Sequence, residues 1–355
     1  MSGAFILFHP GRSVVQFYDG TILMKNINFM YSGHLSIIYR IVMSYQNPSG
    51  PTVVLTGATS GIGQLAAIDL ARRGAHLVLI ARDRIKAEET CTRLRAAASG
   101  CAVDVHYADF SSLESVATAA TEIALKYERI DVLINNAGLH AFEQRVTGDG
   151  FAEMVAVNYL APWLLTDILR SSLLRSTPSR IITVASEASR GSGGIALPYD
   201  LVNTAPFSRL GSSRIYAKTK LMNIMFSKEL ARQLHGTGVA VHCLDPGFNV
   251  TGLGRELGFS GMLSKIFNRF GIGDPRRGAG IIIRLASDPD VAPATGGYFS
   301  VKRAMEIEPA QPSNNPSACE NLWSNTAQIV DRIRIDNSHR SRRSAEGFAT
   351  VRLGE

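Results

Sequence analysis

Short runs rich in valine, isoleucine and leucine alternate with longer segments of helical periodicity through most of the chain. The apolar runs lie at 51–56, 76–81, 103–107, 130–135, 180–186 and 239–244. Runs that are apolar on both faces are typical of parallel strands, because helices cover both sides of a parallel sheet. Amphipathic patterns such as 62–73 and 113–127 separate the runs. The chain therefore predicts right-handed βαβ units and an α/β fold, a single doubly wound parallel sheet flanked by helices.

No repeat and no low-complexity linker divides residues 51–333, so we expect this stretch to form one domain. Residues 1–50 form an N-terminal extension with two interpretations. Either the natural product begins at Met43, or the segment is a loosely attached extension that touches a membrane or a partner. It carries no apolar stretch long enough to cross a bilayer and no secretory signal pattern. Residues 334–355 are expected to form a basic, disordered tail.

The stretch 251–273 breaks the alternation of strands and helices. It carries apolar residues at helical spacing between glycines, and it follows a predicted strand end. Open α/β folds bind ligands at the carboxyl ends of their strands. Two interpretations stay open here: a mobile apolar lid over the substrate, or a surface helix that packs on the core.

Composition narrows the class of protein. A hydrophobic content of 45% with 19% charged residues is that of a globular protein with a substantial core. The four cysteines show no metal-ligand spacing, so we expect neither a disulfide framework nor a metal site. We therefore expect a reducing, cytoplasmic location, and peripheral membrane contact stays open as an alternative. The net charge of +7 is partly concentrated in the C-terminal arginines, without a recognition motif, so no nucleic-acid partner is expected.

A glycine-rich loop joins the first predicted strand to the first helix. Glycines let the backbone approach a pyrophosphate closely, and the helix N-terminus attracts its negative charge. This context predicts dinucleotide binding to a Rossmann-type sheet. The candidate residues are Thr56, Gly57, Ser60, Gly61, Ile62 and Gly63.

The second strand ends in Ala81-Arg82-Asp83, where the adenosine ribose of a dinucleotide should lie. The guanidinium of Arg82 can bind a 2′-phosphate, so the sequence favours NADP(H) over NAD(H). The alternative is that Arg82 is an ordinary surface arginine, and Asp83 is expected to cap the next helix in either case. Asp109, at the end of the third strand, is a candidate acceptor for the adenine amino group, or else a helix N-cap. Asn135, at the end of the fourth strand, is expected to give structural support.

Tyr216 and Lys220 lie four residues apart in a predicted helix and therefore share a face. A nearby ammonium group stabilises a phenolate, so we expect a lowered pKa of Tyr216 that suits acid–base catalysis. Ser186, at the end of the fifth strand, is expected to polarise the substrate oxygen. Asn158 is interpreted either as a helix-stabilising amide or as a water-holding link in a proton path to Lys220.

Together these motifs resemble the short-chain dehydrogenase/reductase family over roughly 51–330. The matching positions are TGxxxGxG at 56–63, NNAG at 135–138, Asn158, Ser186, YxxxK at 216–220 and proline-glycine at 246–247. The long insertion between Ser186 and Tyr216 is similar to the retinol-dehydrogenase-like branch. Ala185, where many relatives have serine, and the loop at 248–251 depart from the family pattern. The resemblance adds these residues to the expected cofactor-binding set: Asn136, Ala137, Gly138, Tyr216, Lys220, Pro246, Gly247 and Thr251.

The resemblance implies an oxidoreductase that transfers a hydride between NADP(H) and a carbonyl or alcohol. The expected substrate is a lipophilic small molecule, retinoid-, steroid- or polyketide-like, and reduction is the expected direction. It also implies a possible homo-oligomer. The rival interpretation is a catalytically silent NADP(H)-binding regulatory or scaffold protein on the same fold. The presence of Ser186, Tyr216 and Lys220 together favours the enzyme.

Overall fold

Three short strands at the N-terminal end form a small antiparallel sheet of their own in the order β1-β2-β3. The strands are β1 (Ile6–Leu7), β2 (Val14–Tyr18) and β3 (Thr21–Lys25). Tyr18 pairs with Thr21, and the dipeptide Asp19-Gly20 between them is a known sequence signal of a hairpin. The computed structural model describes residues 6–7, 14–18, 21–25, 50–247, 274–291, 294–301 and 305–351.

The main sheet has eight strands, of which seven are parallel and the edge strand β11 is antiparallel to its neighbour. The strand order is β11-β10-β9-β8-β7-β4-β5-β6. This confirms the predicted α/β fold with a doubly wound sheet. The strands are β4 (Thr52–Thr56), β5 (His76–Ala81), β6 (Val103–Tyr107), β7 (Val132–Asn135), β8 (Ser179–Val184), β9 (Val239–Asp245), β10 (Tyr298–Ser300) and β11 (Met305–Glu306).

Helices cover both faces of this sheet, as buried parallel strands require. One large apolar cluster includes Val54 and Leu133, and a second one includes Val53 and Ile134. Because neighbouring strand residues point to opposite faces, these clusters are the two helix–sheet layers. The helices are α1 (Gly61–Arg72), α2 (Arg84–Ala97), α3 (Leu113–Lys126), α4 (Glu153–Val155), α5 (Ala161–Arg175), α6 (Tyr199–Val202), α7 (Arg209–Gln233), α8 (Pro275–Ser287) and α9 (Pro316–Val351).

The six predicted strands are all present, with ends that differ by no more than two residues from the apolar runs. The short strands β10 and β11 and the helix α8 were not predicted. A π-helical segment, Ala156–Leu160, joins α4 to α5 and carries Asn158, where the sequence predicted an ordinary helix. Two 3₁₀ turns, Glu187–Gly191 and Pro289–Val291, complete the regular structure of the described residues.

The C-terminal helix α9 has a helical backbone from Pro316 to Val351, whereas the sequence predicted a disordered tail from residue 334 onward. Trp323 stacks on Phe226 and contacts Trp163, which fixes the first half of the helix on the domain. A helix already formed adds residues without a new nucleation cost. Thr251, the 251–273 stretch and Met43 lie outside the described residues. No helix among the described residues has the length and apolar character needed to cross a membrane.

Candidate active site

The parallel strands of the main sheet end at one edge, and a cleft of about 450 Å³ opens there. Residues that follow β4, β5, β6, β7, β8 and β9 line it, together with the start of α1 and part of α7. The structure thus brings together most of the residues that the sequence singled out. Those that line the cleft are Gly57, Ser60, Gly61, Ile62, Gly63, Arg82, Asp109, Asn136, Ala137, Gly138, Ser186, Tyr216, Lys220, Pro246 and Gly247.

The glycine loop after β4 has the geometry of an anion-binding turn. Gly61 has a φ of 58°, and a Cβ on Gly63 would lie 2.3 Å from the carbonyl oxygen of Gly57. Side chains at these positions would therefore strain or displace the turn. Ser60 is the N-cap residue of α1, yet its side chain makes no capping hydrogen bond to the helix. The first-turn N–H groups and the positive end of the helix dipole therefore lie at the cleft for an anionic ligand.

Thr56 has a different place from the predicted one, because it is buried and does not line the cleft. Its Oγ1 accepts hydrogen bonds of 2.9 Å from the backbone N–H groups of Asn136 and Ala137. Asn136 Nδ2 in turn donates to the carbonyl oxygens of Thr56 and Gly57. Thr56 therefore fixes the segment after β7 against the glycine loop. Asn135 is also structural, as expected, since its Nδ2 donates to Thr166 Oγ1 over 2.9 Å.

Arg82 is exposed and lines the cleft, as a residue that binds a 2′-phosphate should. Asp83 caps α2 by accepting from the backbone N–H of Lys86, which confirms its predicted capping role. Lys86, which the sequence interpretation missed, also lines the cleft and forms an ion pair of 3.2 Å with Asp83. This end of the cleft is therefore lined by two positively charged side chains, Arg82 and Lys86.

Asp109 lines the cleft and accepts hydrogen bonds from both the backbone N–H and the hydroxyl of Ser111. The N-cap of α3 is Ser112, so the alternative interpretation of Asp109 as that cap is wrong. The turn it stabilises follows the third predicted strand, β6, at the cleft edge. This position is compatible with the predicted contact to an adenine.

Ser186, Tyr216 and Lys220 meet at the other end of the cleft. Ser186 lies two residues after β8 and begins a 3₁₀ turn, and its hydroxyl is close enough to the Tyr216 phenol to lower the pKa of that phenol. Lys220 Nζ lies 5.6 Å from the centre of the Tyr216 ring and donates a 2.9 Å hydrogen bond to the carbonyl oxygen of Val184. The i, i+4 spacing on α7 thus places phenol and amine side by side.

The electrostatics of this group differ from the expectation that Lys220 lowers the phenol pKa. Burial raises the pKa of Tyr216 above its usual value, the Asp245 carboxylate raises it further, and the Ser186 hydrogen bond lowers it in part. Desolvation lowers the pKa of Lys220 to about 8. The prediction of a lowered phenol pKa is wrong for this structure because both partners are buried. Tyr216 is thus a protonated acid at neutral pH.

Asn158 is buried in the π-helical segment and joins that segment to the loop at Leu139 and to α7. Its Oδ1 accepts from the backbone N–H of Leu139 over 2.8 Å, while its Nδ2 donates to the Leu139 carbonyl oxygen and to Thr219 Oγ1. Thr219 Oγ1 donates to the carbonyl oxygen of Tyr216. The amide therefore ties the loop after Gly138 to α7, which is closer to the stabilising interpretation than to the water-holding one.

Several further residues line the cleft without a sequence signal that singled them out. His140 stacks on Tyr216 with ring centres 4.8 Å apart and an angle of 22° between the planes. Arg145 and Glu153 form an ion pair at the cleft wall. The only available signal for His140 was its position two residues after the NNAG segment. Among the described residues, no group of acidic, histidine or cysteine side chains has the arrangement of a metal site, and all four cysteines are free.

Comparison with known proteins decides the family. The family model "short chain dehydrogenase" matches residues 51–200. Human retinol dehydrogenase 14 is 35% identical over 301 residues, which cover 80% of this chain and 88% of that protein. The chain belongs to the short-chain dehydrogenase/reductase family. Its similarity to retinol dehydrogenases places it in the retinol-dehydrogenase-like branch.

Solved structures agree with this assignment. The crystal structure of an uncharacterized protein from Mycobacterium Paratuberculosis matches with a TM-score of 0.63 and 28% identity, covering 79% of this chain and 93% of that one. The Pseudomonas aeruginosa RhlG/NADP active-site complex matches with a TM-score of 0.57 and 25% identity, covering 71% and 94%. As a short-chain dehydrogenase/reductase, the protein is an oxidoreductase that acts on CH–OH and C=O groups.

Proposed function

We propose that this short-chain dehydrogenase/reductase transfers a hydride between NADP(H) and the carbonyl or alcohol group of a lipophilic small molecule, in the reductive direction. The observation that carries the proposal is the arrangement of Ser186, Tyr216 and Lys220 in the same cleft as the glycine loop. An anion-binding turn beside an acid–base group is what dinucleotide-dependent carbonyl chemistry needs.

The residues of the cleft fit a phosphorylated dinucleotide. The N-terminus of α1 presents N–H groups for a diphosphate, and Gly61 and Gly63 let the backbone approach it. Arg82 and Lys86 supply positive charge at the tip of β5, where a 2′-phosphate would be held. The Pseudomonas aeruginosa relative is named as an NADP complex, which supports the same choice. The nicotinamide cofactor, when bound, supplies or accepts the hydride.

The protein side chains would orient the substrate and move a proton. The hydroxyl groups of Ser186 and Tyr216 can both donate to a carbonyl oxygen placed between them. Because its pKa is raised, Tyr216 holds the proton that the substrate oxygen needs during reduction. Lys220 Nζ, 5.6 Å from the centre of the Tyr216 ring, then supplies positive charge near the phenolate after that proton has left. Asn158 holds the loop at Leu139 against α7 through its hydrogen bonds to Leu139 and Thr219.

The substrate class and the setting belong to the same proposal. The retinol dehydrogenase named above supports a retinoid-like carbonyl or alcohol as substrate. The sequence resemblance extends the proposal to lipophilic substrates of steroid or polyketide type. Four free cysteines favour a reducing compartment such as the cytoplasm, with peripheral membrane contact as the alternative. Homo-oligomerisation stays a prediction. So does the division into an N-terminal extension, a domain over 51–333 and a C-terminal segment.

The direct test follows NADPH absorbance with a panel of retinoid, steroid, aliphatic and aromatic polyketide carbonyls. We expect oxidation of NADPH with at least one lipophilic member and much weaker activity with NADH. Tyr216→Phe should abolish turnover while leaving NADPH binding intact. Tight NADPH binding without turnover across the panel would contradict the proposal and favour a regulatory protein on this fold. Substantial activity of Tyr216→Phe would contradict the role of the phenol as the proton donor.

A further inference from the structure

His140 contacts the catalytic phenol through ring stacking, although nothing in the family motif points to it. The His140 and Tyr216 rings have centres 4.8 Å apart and planes inclined by 22°. His140 is half-buried and lines the cleft, whereas Tyr216 is buried. A stacked neighbour restricts rotation of the phenol ring and excludes water from one of its faces. The contact therefore bears on where the phenol oxygen points.

The imidazole of His140 is anchored to the same helix face that carries the phenol. His140 Nε2 lies 3.1 Å from Ser212 Oγ, and Ser212 is fully buried. Ser212 Oγ donates its only proton to the carbonyl oxygen of Arg209 over 2.6 Å. The hydroxyl must therefore accept from His140, so that Nε2 carries the hydrogen. Ser212 and Tyr216 are four residues apart on α7, so the anchor and the phenol belong to one rigid surface.

The loop that carries His140 is fixed on its other sides. Leu139 exchanges two hydrogen bonds with the Asn158 amide. Ala141 is buried in a small apolar cluster that includes Tyr216. The Phe142 ring lies 4.8 Å from the His140 ring at an angle of 35°. The imidazole is thus held by its neighbours in one orientation.

We propose that His140 is a positioning residue for Tyr216, anchored by Ser212, which holds the phenol oxygen in the orientation required for proton transfer to the substrate. The inference rests on the proposed function, because it assigns a role within that reaction. It adds a side chain that neither the glycine loop nor the Tyr216–Lys220 motif includes. Since 1 Å of misplacement can cost on the order of 100-fold in rate, such a contact has a measurable effect.

The experiment uses the full chain and three variants that separate stacking from anchoring. His140→Ala removes both, His140→Phe retains a stacked ring without the Nε2 hydrogen bond, and Ser212→Ala removes the anchor alone. We expect kcat for carbonyl reduction to fall roughly 10- to 100-fold in His140→Ala. The dissociation constant for NADPH should stay within about twofold. His140→Phe should recover part of kcat, and the effects of His140→Phe and Ser212→Ala should not add in the double variant.

Two matched controls identify unspecific damage. Ser227→Ala removes a buried hydroxyl from the same helix, where it donates to the carbonyl oxygen of Asn223. His235→Ala removes an exposed histidine that does not line the cleft. Both should leave kcat close to that of the unmodified protein. A loss in Ser227→Ala equal to that in Ser212→Ala would overturn the specific role of the anchor.

The outcomes distinguish this inference from the proposed function. Wild-type turnover with an unchanged kcat in His140→Ala overturns the inference alone, whereas the absence of wild-type turnover overturns the proposed function. A readout without turnover is the ¹³C resonance of labelled Tyr216, assigned by its loss in Tyr216→Phe. It should shift in His140→Ala, and it should shift less in His140→Phe. A resonance that stays unchanged in His140→Ala overturns the stacking contact and the inference with it.

Discussion

Lys220 Nζ donates a 2.9 Å hydrogen bond to the carbonyl oxygen of Val184, the last residue of the strand that leads to the Ser186 turn. The side chain is only 4% exposed, and desolvation lowers its pKa from 10.5 to about 8. Holding the Lys220 ammonium charged in this buried position at neutral pH therefore lowers the free energy of unfolding. Residues with such shifted pKa values are concentrated at functional sites. The location of Lys220 beside Tyr216 has consequences for both stability and activity.

Replacement of Lys220 by methionine should stabilise the fold at pH 7 while it abolishes turnover. The pKa is lower in the folded state than in the unfolded state, so the unfolded state binds more protons between pH 8 and 10.5. The contribution of Lys220 to stability therefore increases with pH in that window and is lost as pH falls through about 8. Removing the buried charge should raise the free energy of unfolding at pH 7 by roughly 2–3 kcal/mol. Loss of the hydrogen bond to Val184 should lower it by about 1 kcal/mol.

Denaturant unfolding of Lys220→Met at pH 7 and near pH 10 measures this effect. The gain in the free energy of unfolding should shrink at the higher pH. Lys228→Met, on the same helix and half-buried, is the matched control and should change little. Equal destabilisation of Lys220→Met at both pH values would show that its charge is not the source of the cost.

The pH dependence of carbonyl reduction should follow the same amine. If the Lys220 ammonium is required, kcat/KM is constant below about pH 8 and falls above it as that charge is lost. Tyr216 should not set this limb, because burial and Asp245 raise its pKa above 10. Steady-state rates across pH 6–10 test the assignment. A decline that begins only near pH 10 would exclude the buried amine as the controlling group.

Asp245 should control the balance between reduction and oxidation. This buried carboxylate accepts from the backbone N–H of Glu187 over 3.1 Å and raises the pKa of Tyr216. Asp245→Asn keeps an oxygen acceptor and removes the charge, so the phenol pKa should fall. Alcohol oxidation requires the phenolate, and its rate should rise about tenfold for each unit by which that pKa falls. Initial rates of oxidation with NADP⁺ at pH 7 measure this. A slower oxidation in Asp245→Asn would contradict the electrostatic role.

The fold followed from the sequence wherever the information was local. The six longer strands of the main sheet coincide with the short runs that were singled out for their valine, isoleucine and leucine content, and the i, i+4 relation of Tyr216 and Lys220 needs only a helix. The strands β10 and β11 have three and two residues, too short to show a period. Their pairing is tertiary: β10 pairs with β9, and β11 pairs with β10. The C-terminal helix was missed because its first half depends on Trp323 meeting Phe226 and Trp163.

The site was less accessible to sequence reasoning where distant residues meet. Thr56 and Asn136 are 80 positions apart, and His140 and Ser212 are 72 apart. No motif spacing joins such pairs. The pKa of Tyr216 was expected in the wrong direction, because helical spacing to Lys220 says nothing of how deeply both groups are buried. Tertiary packing decides these features.

Thr56→Val should destabilise the protein and weaken NADPH binding together. Valine has a similar shape but removes the buried oxygen that accepts from the backbone N–H groups of the half-buried Asn136 and Ala137. Leaving buried donors unpaired costs about 1–3 kcal/mol for each group. Thr56→Ser keeps the hydroxyl and should retain most of both properties. Thermal unfolding and fluorescence titration with NADPH measure the two effects. Stability and affinity that are equal in Thr56→Val and Thr56→Ser would contradict the structural role.

Arg82 should determine the preference for NADPH over NADH. Its exposed guanidinium lines the cleft at the tip of β5, where a 2′-phosphate would lie. A hydrogen bond to a charged group contributes about 1.5–3 kcal/mol, so Arg82→Ala should raise KM for NADPH roughly 10- to 100-fold and leave that for NADH nearly unchanged. Arg84 is the matched control, since its guanidinium lies 4.1 Å over the Tyr107 ring and does not line the cleft. If Arg84→Ala changed the preference as much as Arg82→Ala, general positive charge would explain the selectivity, and Arg82 would have no specific role.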